Sequence, residues 1–405
     1  MADLDTTESR AKKGTTRYKR IRTALMLSGL SLFAQLYFFQ PLLPDLGRIF
    51  SLTPAVSSLA VTMGTAGMAV GLFIFAFKAD SLPRKTLMVT GMLSTSVLTL
   101  VSAVVPAFWL LVLLNFAKGI AISSISAVAL AYIAEELKPA AVSIAISLYM
   151  SGNIAGGMAG RVFAGLANGW LGWRWTTVIV GIVGLLLALL FSQMLPEGQT
   201  FESNPVQVSF KLKQMASFLR DPLLLSMYGI AAIIMGVFVS VYNYVSFRLA
   251  GPPFSLPHYI IAFVFVMYIT GIAGSLLTGR WADKANSSVI LRLLLNAFII
   301  GVLALLWGKL WLFVVGLGVL TFSFFGAHTT ASRIVSQHAA SGKSTATSLY
   351  WLFYYVGSSV IGTLTGTALS ELGWSYFIIV LLGLLIFAYG LIRLTIRRNF
   401  AAFSG

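Results

Sequence analysis

The sequence contains no cysteine, which excludes a disulfide framework and any thiolate metal site. Histidine occurs only three times, as His258, His328 and His338, and no set with metal-ligand spacing emerges. There is no Walker loop, so direct drive by ATP within this chain is excluded. No catalytic constellation appears, and neither a membrane enzyme nor a scaffold protein has a residue pattern in its favour; no cofactor is expected. Charge is also scarce: 10% of residues are charged, against roughly 25% in a soluble domain. A water-soluble chain of 405 residues could not cover its surface with so little.

Apolar residues fill the gap. They make up 58% of the chain, mean hydropathy is +0.89, and tracts of about 20 residues recur from Ile21 to Leu394. The pattern predicts an all-α polytopic membrane protein with twelve spans near 22–45, 54–78, 84–105, 108–133, 139–166, 171–194, 223–248, 256–279, 287–307, 309–334, 342–370 and 373–394. The first tract reads as a span rather than a cleaved leader, since "QPLLPDLGRIF" follows it without a small-residue cleavage site. The net charge of +16 does not point to nucleic acid. Basic residues gather in the tail and in alternate short loops, as the positive-inside rule requires, which predicts both termini in the cytoplasm.

The expected organisation is a tail (1–21), a six-helix bundle (22–194), a linker (195–222), a second six-helix bundle (223–394) and a C-terminal tail (395–405). Within the linker, "VSFKLKQMASFLRD" reads either as a short amphipathic helix on the inner membrane face or as a partly helical connection. The halves echo each other. "SLY" at Ser147 and Ser348, and "LGW" at Leu171 and Leu372, are both 201 residues apart. Duplicated halves suit carriers that rock two bundles around a central site.

"SGNIAGGMAGR" (151–161) places Gly152, Gly156 and Gly160 on one helical face, which lets another backbone approach closely. The expected partner is a helix of the opposite bundle, in contacts that break and re-form during transport; static packing is the alternative. Asn153, midway along this helix, is expected to link helices or to touch substrate.

Ionisable residues at membrane depth are the other candidates. No carboxylate falls at the midplane; Asp45 lies toward an outer end. Lys118 lies about ten residues into the fourth span, roughly 15 Å deep. It is read as a substrate or coupling contact, or else as structurally paired. Arg161 and Arg248 sit at an outer cavity mouth or act as interfacial anchors. His328 titrates near neutrality in water and joins Asp45 as a proton-coupling candidate, or is a core histidine. Gln35, Tyr37, Gln40, Asn115, Tyr149, Tyr242, Asn243, Tyr350 and Tyr354 complete the candidate cavity lining.

These motifs resemble the major facilitator superfamily, and within it the bacterial inner-membrane branch known as acriflavine-sensitivity or YnfM-like. "AFKADSLPRK" is similar to the superfamily's loop after the second helix, with Asp80, Arg84 and Lys85 matching and with Ala76 and Pro83 in place of its glycines. "GRWADK" supplies the counterpart, Arg280 and Asp283. "AYIAEE", "YNYVSFRL" and "GAHTTAS" resemble further branch features. The resemblance implies an arginine where Asn115 stands, and Lys118, one turn on, supplies a displaced positive charge. It also implies a latch of Asp80, Arg84 and Lys85 with Asp283, and a monomer that moves a small solute with protons as the coupling ion. Expected substrates are an organic anion or zwitterion for export, an amphiphilic cationic or neutral drug, or an anionic nutrient for uptake. The expected location is the bacterial cytoplasmic membrane, with lipids as the other partner.

Overall fold

Backbone groups in hydrocarbon have no water to bond to, so an apolar tract must satisfy them within itself, as a helix. The computed structural model describes residues 10–78, 81–199, 208–282, 284–339 and 342–398, the last five by backbone alone. Among these the elements run α1 (Thr16–Tyr37), a 3-10 turn (Gln40–Leu42), α2 (Leu43–Ile49), α3 (Pro54–Lys78), α4 (Arg84–Ser102), α5 (Phe108–Glu136), α6 (Pro139–Met194) and α7 (Val208–Arg220). There follow α8 (Pro222–Ala250), α9 (His258–Phe263), a second 3-10 turn (Val264–Met267), α10 (Tyr268–Ala282), α11 (Ser287–Ala304), α12 (Leu310–His338) and α13 (Lys343–Arg398). Ten described stretches are long and apolar enough to cross a membrane. Starts are chemically marked: Thr15 caps α1, Asp221 followed by Pro222 caps α8, and Asn286 caps α11.

Two helices, α6 and α13, have 56 residues each, about 84 Å at 1.5 Å per residue and far beyond one bilayer. Each is broken once, at Gly172 (φ 73°) and Gly373 (φ 81°). These are the middle residues of the two "LGW" triplets. Left-handed backbone favours glycine. A Cβ at either position would meet nothing within 4 Å, so the demand is conformational rather than steric. The first predicted span is also interrupted. Helix α1 stops at Tyr37, and the chain turns through Phe38–Leu42 before α2. Pro41 and Pro44 each remove a donor that a continuous helix would need.

The described chain forms two compact units. One holds the residues up to Phe39 together with Gly67–Val208; the other holds Gln40–Ala66 with the residues from Ser209 onward. In the first unit, a Cβ on Gly152, Gly156 or Gly160 would strike the α1 backbone at Met26, Leu30 and Ala34 respectively. Gly29 of α1 answers by receiving Asn153. This glycine face therefore meets α1 of its own half, which corrects the expected partner in the opposite bundle. Close approach here comes from the α6 face without side chains, which meets backbone of α1 at Met26 and Leu30 and the small residue Ala34. In the second unit, Gly357 lies against Ala232 of α8 and Gly236 lies against Gly357 and Ile361. Gly156 and Gly357 share the 201-residue offset (357 − 156), so the repeat extends to helix packing.

Segment 40–66 is bound into the second unit by polar pairs. Gln40 Nε2 donates to Asn243 Oδ1 (2.6 Å), Thr62 Oγ1 lies 2.7 Å from Thr363 Oγ1, and Thr65 Oγ1 lies 2.9 Å from Ser359 Oγ. Ser358 adds a bond to Thr65 (3.2 Å).

Two substitutions test this packing. In Gly156→Leu the new side chain would start 2.5 Å from Leu30 Cα. The melting transition of the detergent-purified protein should fall by the equivalent of at least 1–3 kcal/mol, a rough overpacking cost. Gly373→Ala should cost about 1–2 kcal/mol through backbone strain alone. A wild-type melting curve for Gly156→Leu would remove the close α1–α6 contact.

Candidate transport site

The first unit holds a lysine in unusual surroundings. Lys118 lies on α5, its side chain is 0% exposed, and its Nζ has no hydrogen-bond partner. It faces two rings, with Phe38 and Phe39 centroids 5.1 and 5.3 Å from Nζ. The rings lie 4.0 Å from each other. Both residues belong to the turn that follows α1, so the proline-enforced break delivers them to the lysine. A desolvated cation–π contact contributes about 2 kcal/mol. Burying an ammonium costs several kcal/mol. Two rings alone leave such a charge under-compensated.

A second cation lies on α6. Arg161 is 1% exposed; its guanidinium carbon is 4.1 Å from the Tyr37 ring centroid, and its Nη1 donates to Gly157 O at 2.7 Å. Three successive aromatics, Tyr37, Phe38 and Phe39, thus serve both cations. Asn115, one turn before Lys118, is turned back onto its own helix, with Nδ2 donating to Leu111 O at 2.9 Å. Asn153 keeps Oδ1 buried without a partner in the notch at Gly29. Gln35 faces elsewhere: Nε2 donates to Ser31 Oγ (3.2 Å) and Ser96 Oγ (3.4 Å), beside a crevice of about 200 Å³ that Phe163 and Gly184 also line. Tyr149 is buried on α6.

In the second unit the polar candidates meet on α12 and α13. His328 Nδ1 lies 2.9 Å from Tyr350 Oη, which donates to His328 O at 3.1 Å. The single hydroxyl proton is used on that carbonyl, so the arrangement is satisfied when Nδ1 carries the imidazole proton. Nε2 is then the acceptor. Trp351 and Tyr354 stand 5.0 and 4.9 Å from the imidazole, centroid to centroid, and Phe324 stacks at 6.3 Å. Tyr242 Oη bonds Thr321 Oγ1 (2.7 Å). Asn243 receives Gln40 and keeps Nδ2 buried without a partner. Arg248 donates to Pro252 O (2.9 Å) near the Phe254 and Trp374 rings. Asp45 is buried and ion-paired with Arg48, one turn on.

The comparisons with known proteins address what these two units are for. The family model of the Major Facilitator Superfamily matches residues 25–362. This chain belongs to the major facilitator superfamily. It is 35% identical over 376 residues to an uncharacterized transporter of Buchnera aphidicola, covering 92% of this chain and 91% of that one. It is 32% identical to the inner membrane transport protein YnfM of Escherichia coli, over 90% of this chain and 87% of the other. A bacterial homolog of the human lysosomal transporter Spinster, in an inward-facing and occupied conformation, superposes with a TM-score of 0.78 at 18% identity, covering 97% of this chain and 99% of that one. As a major facilitator protein, the chain is a secondary-active transporter with an alternating-access fold, and not an enzyme.

At the end of the bundle where the superfamily's charged loop lies, the described partners are local. Arg84 donates to Glu135 through Nη2 (3.0 Å) and Nε (3.4 Å), Lys85 pairs with Glu197 (2.9 Å), and Arg17 pairs with Glu136. Glu136 Oε1 also accepts from Gln199 N (2.8 Å). Asp80 and Asp283 lie outside the described residues; Arg280 is exposed at the end of α10. Sequence reading passed over Phe38, Phe39 and Trp351, and left Glu135 without a role. The available signal was the pairing of a lone mid-span lysine with consecutive aromatics before Gln40–Pro41.

One carboxylate outside the spans is tuned. Burial pushes Asp221 up, but N–H donors of Leu224 and Leu223 and the His338 imidazole (2.9 Å) outweigh it and hold the carboxyl below its ordinary 3.8. A lowered pKa adds stability above the ordinary value, which is lost as pH falls through the folded one. The melting temperature of Asp221→Asn should therefore lie below wild type at pH 5–6, and the gap should close as pH falls below about 4. A gap that persists undiminished at pH 3 would show that ionisation of Asp221 is not involved.

Proposed function

We propose that this transporter exports a small organic anion or zwitterion in exchange for protons across the bacterial cytoplasmic membrane. In this reading the two 56-residue helices divide at Gly172 and Gly373, giving twelve spans in two six-helix halves, with both termini in the cytoplasm. The chain is assigned to the YnfM-like branch, supported by the 32% identity to YnfM over most of both chains.

The observation that carries the proposal is the buried Lys118 Nζ, which has no hydrogen-bond partner and faces two aromatic rings. A carboxylate or phosphate reaching it supplies the missing charge-assisted bond. Phe38 and Phe39 act as a cover. In this reading, displacement of the turn that carries them uncovers the lysine. Arg161 extends the positive field.

His328 is the preferred proton carrier in this reading, with Tyr350 Oη 2.9 Å from its Nδ1. Asp45 ranks second because Arg48 already pairs with it. Arg84 and Lys85, with Asp80 and Asp283, serve the gate. A second reading, export of amphiphilic cations or neutral drugs, is favoured by the aromatic wall of Phe324, Tyr350, Trp351 and Tyr354. Uptake of an anionic nutrient would use the same site with the gradients reversed.

The test is counterflow in liposomes with an imposed pH gradient, comparing labelled organic anions and cations of similar size. Lys118→Ala should reduce anion transport about ten- to a hundredfold, the worth of one bond to a charged group. Lys118→Arg should retain part of it. Cation exchange indifferent to residue 118 would favour the second reading and end the first.

A further inference from the structure

Beside the α1–α6 contact the first unit holds a crevice of about 200 Å³ that the proposed transport site does not use. It forms where α1 meets both segments of α6, at Gly160 and Gly184. Phe163 and Val183, 40 and 48% exposed, stand at its edge. Gly184 lies midway between Trp173 and Met194, so the crevice sits at mid-depth of that span, among hydrocarbon rather than water. Of the described residues that line it, none is ionisable and only Ser31 and Gln35 have polar side chains. The crevice therefore offers an anion no counter-charge.

One buried group in this lining is left over. Gln35 is 1% exposed, and its amide lies against Gly184, whose missing Cβ would strike it. The amide nitrogen is committed to Ser31 Oγ (3.2 Å), Ser31 O (3.4 Å) and Ser96 Oγ (3.4 Å). Ser96 gives its own hydroxyl proton to Met92 O (3.0 Å). Toward Gln35 its oxygen can then only accept, which fixes the end of the amide that faces it. Oε1 is left buried and without a hydrogen-bond partner. A buried acceptor without a donor is costly. Terminal amide torsions are broad, so a modest rotation presents Oε1 to a group that enters the crevice.

We propose that this crevice binds a small uncharged phenol dissolved in the bilayer, with the hydroxyl donating to Gln35 Oε1 and the ring beside Phe163. Size, polarity and shape each favour this class. An apolar cavity of about 150 Å³ takes benzene, so one of this volume admits a single substituted ring. Water needs two to four polar partners, and the crevice offers one open acceptor. A lipid acyl chain would fill the space but leave Oε1 unpaired. A phenol supplies one donor on an otherwise apolar body, and its ring can pack edge or face against Phe163.

The test uses the full chain in liposomes and two photoreactive probes: a phenol carrying a diazirine, and the methyl ether of the same compound. The ether keeps the shape and loses the donor. Labelled residues are located by mass spectrometry at equal membrane concentrations of probe. In wild type, labelling should concentrate around Phe163 and Val183, and the phenol should label there about three- to tenfold more than the ether, the worth of one neutral hydrogen bond. Gln35→Leu should bring the phenol down to the level of the ether. Val183→Trp changes an exposed position and fills the mouth, so it should reduce labelling by both probes without disturbing the fold. Equal labelling by phenol and ether in wild type would overturn the proposal, since any apolar filler would then serve. Labelling spread evenly over the apolar surface would also overturn it, as would a preference for the phenol that survives in Gln35→Leu or Val183→Trp. None of these readouts involves a transported solute or Lys118, so they stand or fall apart from the anion assignment.

Discussion

The close approach of α1 to α6 over Gly152, Gly156 and Gly160 is the contact on which the first unit's chemistry depends. Within a membrane there is no hydrophobic force between helices, so association rests on van der Waals contact and on backbones coming near one another. Three side-chain-free positions on α6 meet Met26, Leu30 and Ala34, and this sets the height of α1 along α6. Ala34 is the last of these contacts, and Tyr37 ends the helix one turn later. Tyr37 is thereby brought over Arg161, the residue after Gly160, and the following turn sets Phe38 and Phe39 before Lys118. A packing rule thus becomes an electrostatic site.

Aromatic faces are a particular way to hold a cation. In the proposed reading, a carboxylate would neutralise Lys118 and leave nothing for a solute to do. Ring faces offset only part of the burial cost and are easily exchanged for a stronger partner. The second unit uses aromatics differently: Tyr350 spends its hydroxyl on fixing His328, while Trp351 and Tyr354 shape the wall around the imidazole. One unit carries a buried lysine and the other a buried histidine, an asymmetry laid over a duplicated framework. The duplication itself is visible in Gly156 and Gly357, and in the two left-handed glycines at 172 and 373.

The division of the chain into units does not follow the division of the sequence into halves. Gln40–Ala66 belongs by order to the first half, yet it is held in the second unit by Gln40–Asn243, Thr62–Thr363 and Thr65 with Ser358 and Ser359. These hydroxyl and amide pairs are individually modest, roughly 0.5–1.5 kcal/mol each.

By itself the sequence determined that the chain is helical and membrane-embedded, that it is internally repeated, and that Lys118 stands inside an apolar tract. These follow from local facts: apolar length, turn glycines, and the cost of charge in hydrocarbon, each readable without knowing any neighbour. The resemblance carried by "AFKADSLPRK" reached the superfamily for the same reason, since a loop motif is contiguous. Only the tertiary structure decided that the glycine face meets α1, that Asn115 turns back onto its own helix, that Arg84 bonds Glu135, and that Phe38 and Phe39 are what Lys118 faces. Those outcomes depend on the rotation and height of one helix against another. Hydrophobic periodicity specifies neither in a chain whose helices are apolar on nearly every side, because lipid and protein reward the same residues there.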